Sequence, residues 1–182
     1  MSTATAQPLS WPSIARLGLV QAAIGAVVVL MTSTLNRVMV VELGLAAAVP
    51  GVLVGIHFAI QILRPRMGFG SDRDGRRIRW IIGGMALTSA SGLLAAVATA
   101  WMTTAPSAGL SLALVAFFLL GVGISASSTP FLAYMAERVE EQRMAGAAAL
   151  TWILMIVGII VTASIGGAFL DPFSPARLER FK

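Results

Sequence analysis

The chain has 182 residues, of which 57% are hydrophobic and 12% charged, with a net charge of +5 and no cysteine. Charge is about half of the roughly 25% carried by a soluble domain, so the composition points away from a soluble fold and toward bilayer spans of about 20 apolar residues each. The absence of cysteine excludes disulfides, thiolate metal sites and cysteine nucleophiles.

The opening segment, residues 1–13, has no charged side chain and contains Pro8 and Pro12. It lacks the basic region of a cleavable signal and reads as a short cytoplasmic lead-in. The first predicted helix covers about 14–35, with Ser13 as its cap. At 100° per residue Gln21, Gly25, Thr32 and Asn36 form one polar, small-residue face. Such a face serves either close helix packing or a cavity lined by water or ligand. Arg37 and Glu42 are expected in the turn that follows.

The second helix is predicted over about 50–64, with Pro50 in its first turn and a GxxxG element at Gly51 and Gly55 that suits close packing. His57, Gln61 and Arg64 recur at spacings of four and three and share a face that must look into protein or water. An ionisable side chain inside a span is expensive and commonly functional, so His57 is a candidate ligand-facing residue. Its imidazole can hold a metal, including the magnesium of a chlorin ring, relay a proton, or simply bond to Gln61. Pro65 is expected to end the helix.

The run Gly68-Phe69-Gly70-Ser71-Asp72-Arg73-Asp74-Gly75-Arg76-Arg77 then connects two apolar stretches. Arg64, Arg66, Arg73, Arg76, Arg77 and Arg79 crowd this one connection, which places it in the cytoplasm by the positive-inside rule. The pI near 11.3 therefore reflects topology, and no nucleic-acid partner is expected. A third helix, about 80–101, opens and closes on Trp80 and Trp101, about 31 Å apart at 1.5 Å per residue, which suits an aromatic residue at each interface. An uncharged outer turn around Pro106 leads to a fourth helix, about 110–136. There Gly121, Ser125, Ser128 and Thr129 lie on or near one face and Pro130 is a candidate kink. The hydroxyls of Ser125, Ser127, Ser128 and Thr129 are expected to bond back to the preceding turn. After a charged inner connection a fifth helix covers about 144–170 and stops at Asp171-Pro172. The remaining residues, 171–182, form a charged amphipathic tail that is expected at the periplasmic interface.

Three hypotheses follow from the residues: a membrane protein that binds other helices or a pigment, a secondary transporter, and a membrane enzyme. The spans carry one histidine, no carboxylate and no thiol, and no P-loop, HExxH or GxSxG occurs, which weighs against enzyme chemistry.

Two resemblances sharpen these expectations. Gly68, Asp72, Arg73, Gly75, Arg76 and Arg77 resemble motif A of the major facilitator superfamily, which occupies the loop between helices two and three. That resemblance implies a transporter-type fold in which Asp72 pairs with loop arginines and caps a helix of the opposite half. The stretches Arg16-Leu17-Gly18-Leu19-Val20-Gln21, Thr34-Leu35-Asn36-Arg37-Val38-Met39-Val40-Val41-Glu42-Leu43, Leu63-Arg64-Pro65-Arg66 and Phe169-Leu170-Asp171-Pro172-Phe173-Ser174-Pro175-Ala176-Arg177-Leu178 are similar to the PucC/LhaA family of phototrophic bacteria. This similarity implies a role in assembling light-harvesting antenna complexes in the cytoplasmic or intracytoplasmic membrane. Its implied partners are the lipid bilayer, antenna polypeptides and the reaction-centre complex, and its implied ligand is bacteriochlorophyll, with His57, Gln61, Arg64, Gln21 and Asn36 as candidate facing residues. The family has twelve helices in two halves built from inverted repeats. The expected fold is thus an all-α membrane protein with about five helices of the N-terminal half, its N-terminus cytoplasmic, lacking the C-terminal half.

Overall fold

A computed structural model describes residues 8–170; the predicted tail at 171–182 and the first residues of the lead-in lie outside them. Among the described residues five helices are long and apolar enough to cross a membrane: α1 (Trp11–Glu42), α2 (Ala48–Asp74), α3 (Arg77–Trp101), α4 (Pro106–Arg138) and α5, described over Glu141–Leu170. No strand occurs among the described residues. A helix satisfies its own backbone hydrogen bonds, which a lipid environment demands, and connections this short force each helix to run antiparallel to the one before it. The arginines of the 64–79 region therefore gather at one end of the bundle with Arg16, Arg138 and Arg143, and Arg37 and Glu42 lie at the other.

α1 outlasts its predicted end. Two π-helical stretches, Leu30–Thr34 and Val38–Glu42, carry it through Asn36 and Arg37. It stops where Gly44 takes φ +64° and Leu45 N–H reaches the Met39 carbonyl at 3.0 Å, a left-handed cap that glycine adopts without a Cβ penalty. Arg37 and Glu42 are exposed helix residues and form no ion pair with each other. Charge at a helix end lying near the membrane surface does not compel a turn.

α2 also continues past its predicted boundary. The chain tightens into a 3₁₀ turn at Gln61–Leu63, where Arg64 N–H bonds the Gln61 carbonyl. Pro65 in an unbroken α-helix would have left that acceptor without its donor. With the acceptor already satisfied, Pro65 sits in the first turn of the helical stretch Arg64–Asp74. Most of the motif, expected as a loop, is therefore helix. Only Gly75 and Arg76 connect it to α3, and Gly75 has φ +63°.

α4 is the central element. On one side its backbone meets α3: a Cβ added at Gly84 would stand 2.6 Å from Ser127 N and 2.7 Å from the Gly123 carbonyl, and one at Gly123 would stand 2.7 Å from Thr88 Oγ1. On another side Gly121 receives α2, where an added Cβ would lie 2.8 Å from the His57 carbonyl and from Ile60 Cβ. α5 leans on α1 by the same device, with Gly158 against the Ala22 carbonyl and Gly25 against Met155 and Ile159. Small residues let membrane helices approach closely where apolar burial alone offers no drive. The expected GxxxG packing of Gly51 and Gly55 is not found. Both glycines are exposed with nothing near them, because α2 turns Pro50, Leu53 and His57 inward instead.

Two apolar clusters lie at opposite ends of the bundle. One gathers Met31, Met39, Leu53, Phe117 and Leu120; the other gathers Ile14, Ile81, Phe131 and Met135 at the arginine-rich end. The lead-in joins the latter, since Leu9 packs on it and its N–H bonds the Arg138 carbonyl at 2.9 Å.

Gly83 and Gly84 provide a matched pair. Gly84→Ala is expected to cost about 1–3 kcal/mol through overpacking against α4. Gly83→Ala, which meets open space, is expected to be neutral or stabilising by up to about 1 kcal/mol from helix propensity. Unfolding midpoints of both variants in mild detergent check this, and equal shifts would disprove the close α3–α4 contact.

Candidate functional site

Polar chemistry concentrates in two places. The first is the arginine-rich end, where α2 finishes, α3 begins and α4 finishes. Arg77 Nη2 lies 3.0 Å from Asp72 Oδ1 and 2.6 Å from Glu137 Oε1. Each of the three charges is badly placed alone: Arg77 stands at a helix N-terminus, and Asp72 and Glu137 stand near helix C-termini, opposite to what the helix dipoles favour. Together they neutralise one another and tie three helix ends at one point. Asp72 and Glu137 remain about half exposed, at 55% and 56%, while the Arg77 side chain is 16% exposed.

Local geometry explains the motif residue by residue. Ser71, fully buried, donates to the Gly68 carbonyl at 2.8 Å. Gly68 lies under the Thr129 methyl and Gly70 under the Trp80 ring, each with about 3.0 Å for an added Cβ. Gly75 supplies the left-handed turn that delivers Arg77 to Asp72. Arg73 and Arg76 are exposed. The pairing of Asp72 with a loop arginine, implied by resemblance, is present. Glu137 was legible only as part of a charged connection, since nothing in its spacing points to a residue sixty positions earlier. Beside this node Arg138 stacks over Tyr134, 5.6 Å from the ring centroid.

The second place is the interior of α2. His57 is 1% exposed, its Nε2 lies 2.9 Å from Gln61 Nε2, and its Nδ1 is buried with no hydrogen-bond partner. The structure thus brings His57 and Gln61 together, while Arg64 is exposed at the start of the next helical stretch. The His57 carbonyl, together with the Ile60 side chain, forms the contact with Gly121 of α4. The orphaned nitrogen has the chemistry of a metal ligand, yet with His57 1% exposed a macrocycle reaches it only if the packing around it opens.

The polar face proposed for α1 is divided. Gly25 is taken up by α5, Thr32 Oγ1 donates to the Val28 carbonyl at 2.7 Å, and Asn36 Nδ2 donates to the Thr32 carbonyl at 3.4 Å. Gln21 is half-buried. The π-helical stretch Leu30–Thr34 shifts the angular register, so a 100° step does not carry from Gln21 to Asn36. On α4, Ser125 and Ser127 donate to the Gly121 and Gly123 carbonyls at 2.7 and 2.9 Å, as their positions predict. Among the described residues no group of three or more His, Cys, Asp or Glu side chains comes together.

Comparison with known proteins places these features. The family described as PUCC protein matches residues 34–181. The chain is 52% identical to the "Bacteriochlorophyll synthase 44.5 kDa chain" of Rhodobacter capsulatus over 93% of its own length and 40% of that protein. It is 32% identical to "Protein PucC" of the same organism, over 94% of the chain and 39% of the relative. A "Folate-biopterin transporter" of Synechocystis is 37% identical over 73% of the chain and 27% of that protein. The chain thus spans about two fifths of the length of the first two curated relatives. No solved structure matches it.

The charge node yields a prediction. Arg77→Gln is expected to lower stability by about 1 kcal/mol, and Arg77→Gln with Glu137→Gln to fall short of additivity by about 0.5 kcal/mol, an effect that shrinks in high salt. Denaturant titration of the four proteins in detergent measures the coupling; strict additivity at low salt would remove Glu137 from the node.

Proposed function

The chain belongs to the PucC protein family, and from that premise we propose that it serves as an integral membrane assembly factor for bacterial light-harvesting complexes, holding antenna helices beside its own. The observation that carries this is the family match across residues 34–181, joined by PucC relatives from several phototrophic bacteria that align with nearly the whole chain. The multi-pass architecture suits such a role. α5 packs along α1 and turns Trp152, Ile156, Val157, Ile160 and Val161 outward, a surface open to lipid, to an antenna helix or to the remaining length of a full-size relative.

The protein acts by binding rather than by catalysis. Several of its buried polar groups are engaged in structure: His57 Nε2 meets Gln61, and the Ser125 and Ser127 hydroxyls meet backbone carbonyls. A relative named as a bacteriochlorophyll synthase chain supports a setting close to pigment metabolism. The arginine-rich end faces the cytoplasm by the positive-inside rule, in the inner or intracytoplasmic membrane of a phototrophic bacterium. The second reading is secondary transport. A named folate-biopterin transporter among the relatives favours it, as does the motif around Asp72 and Arg77.

Purification of the chain from a phototroph in mild detergent, with near-infrared absorption and identification of co-purifying polypeptides, separates the two. Antenna polypeptides, with or without bacteriochlorophyll, are the expected result. A preparation free of both, together with substrate accumulation in vesicles, would overturn assembly in favour of transport. If pigment does co-purify, His57→Leu is expected to retain it at the wild-type ratio, because the His57 side chain is almost fully buried. Loss of pigment from a variant with unchanged helicity would make His57 its ligand.

A further inference from the structure

A cleft of about 530 Å³ opens between the start of α3 and the end of α4, and Arg76, Arg77, Arg79 and Arg138 line it together with Tyr134 and Glu137. With Asp72 included, four guanidiniums face two carboxylates. Arg77 is shared between both acids through Nη2 alone. Its other terminal nitrogen, Nη1, is buried without a hydrogen-bond partner among the described residues. Buried donors are rarely left in that state, and each one calls for an explanation.

The rest of the cleft is also prepared for an anion. Arg76 and Arg79 are exposed and enter no ion pair among the described residues. Asp74 shares a neighbouring cleft with Arg79 but closes no ion pair with it. Arg138 is held over the Tyr134 ring, which restrains one wall. Planar guanidiniums recognise phosphate oxygens through paired, charge-assisted hydrogen bonds. The cleft lies at the ends of two helices long and apolar enough to span a bilayer, beside Trp80 and Tyr134, where a lipid headgroup and an aromatic belt would be expected. Basic pockets between membrane helices at this level suit anionic lipid headgroups.

We propose that this cleft binds the phosphate of an anionic phospholipid, with Arg76 and Arg79 as the outer arms and Arg77 Nη1 as the inner donor. The lipid would then lock the same helix ends that Asp72 and Glu137 hold. This inference stands on the cleft and is independent of whether the protein assembles antennae or transports a solute.

Native mass spectrometry of the purified chain, titrated with phosphatidylglycerol or phosphatidylcholine, tests it. Phosphatidylglycerol is expected to remain bound in preference to phosphatidylcholine, and Arg76→Gln with Arg79→Gln to weaken it on the order of tenfold. Arg16→Gln with Arg66→Gln removes equal charge from the same end of the bundle outside the cleft, and is expected to weaken it far less. Circular dichroism of both variants verifies that the helices persist. Equal losses in the two double variants, or no preference between the lipids, would overturn the site. A third arm offers inorganic phosphate: if it protects the chain from unfolding while phosphatidylglycerol does not, the lipid assignment is wrong.

Discussion

Backbone-to-backbone contact along α4 is the constraint on which the bundle depends. In a bilayer, apolar side chains gain little by leaving lipid for protein, so helices associate through close packing and polar contacts. Gly121 and Gly123 on α4 admit α2 and α3 in turn, and Gly84 answers Gly123 from α3. The hydroxyls of Ser125 and Ser127 lie in the same stretch, with their polar atoms turned onto carbonyls of their own helix. Close approach at these two serines therefore leaves neither hydroxyl unmet. α5, by contrast, rests on α1 and leaves most of its surface outward.

That arrangement gives the charge node its geometry. Because α3 and α4 are held at van der Waals distance, their ends at Arg77 and Arg138 stay close, and a single Arg77 nitrogen can reach Glu137 on α4 and Asp72 on α2. The ion pairs themselves are half exposed and individually weak. Their contribution is to cancel three unfavourable helix-end charges at once, setting the relative positions of ends whose depth in the bilayer the packing already determines.

The five spans and their order were legible in the sequence because length and hydropathy decide them. The ends were less so. Arg37 and Glu42 look like a turn, yet helix runs through both by way of π-helical stretches and stops at Gly44. Pro65 looks like a terminator, yet the preceding 3₁₀ turn lets helix resume. At Pro65 a local backbone adjustment met the hydrogen-bonding demand of the proline, and at Arg37 and Glu42 charge near the membrane surface did not compel a break. The His57–Gln61 pair was readable from its spacing of four. The exposure of Arg64 was not, since a spacing of three to Gln61 does not say how far a long side chain reaches out of the bundle. The partnership of Arg77 with Glu137 is a tertiary fact, created by packing between helices distant in sequence, and no local pattern encodes it.

The motif from Gly68 to Arg77 accordingly says more about architecture than about activity. Gly68 and Gly70 make room for Thr129 and Trp80, Ser71 secures the last turns of α2, Gly75 makes the reversal, and Asp72 and Arg77 close the node. Every one of these functions is local, and each would be needed by any protein that joins two antiparallel membrane helices so tightly beside a third. A transporter can use such a joint as part of a moving gate, and an assembly factor can use it as a rigid corner. Both readings use the motif alike, so the weight rests on the similarity along the rest of the chain, where relatives named for PucC align with nearly its full length.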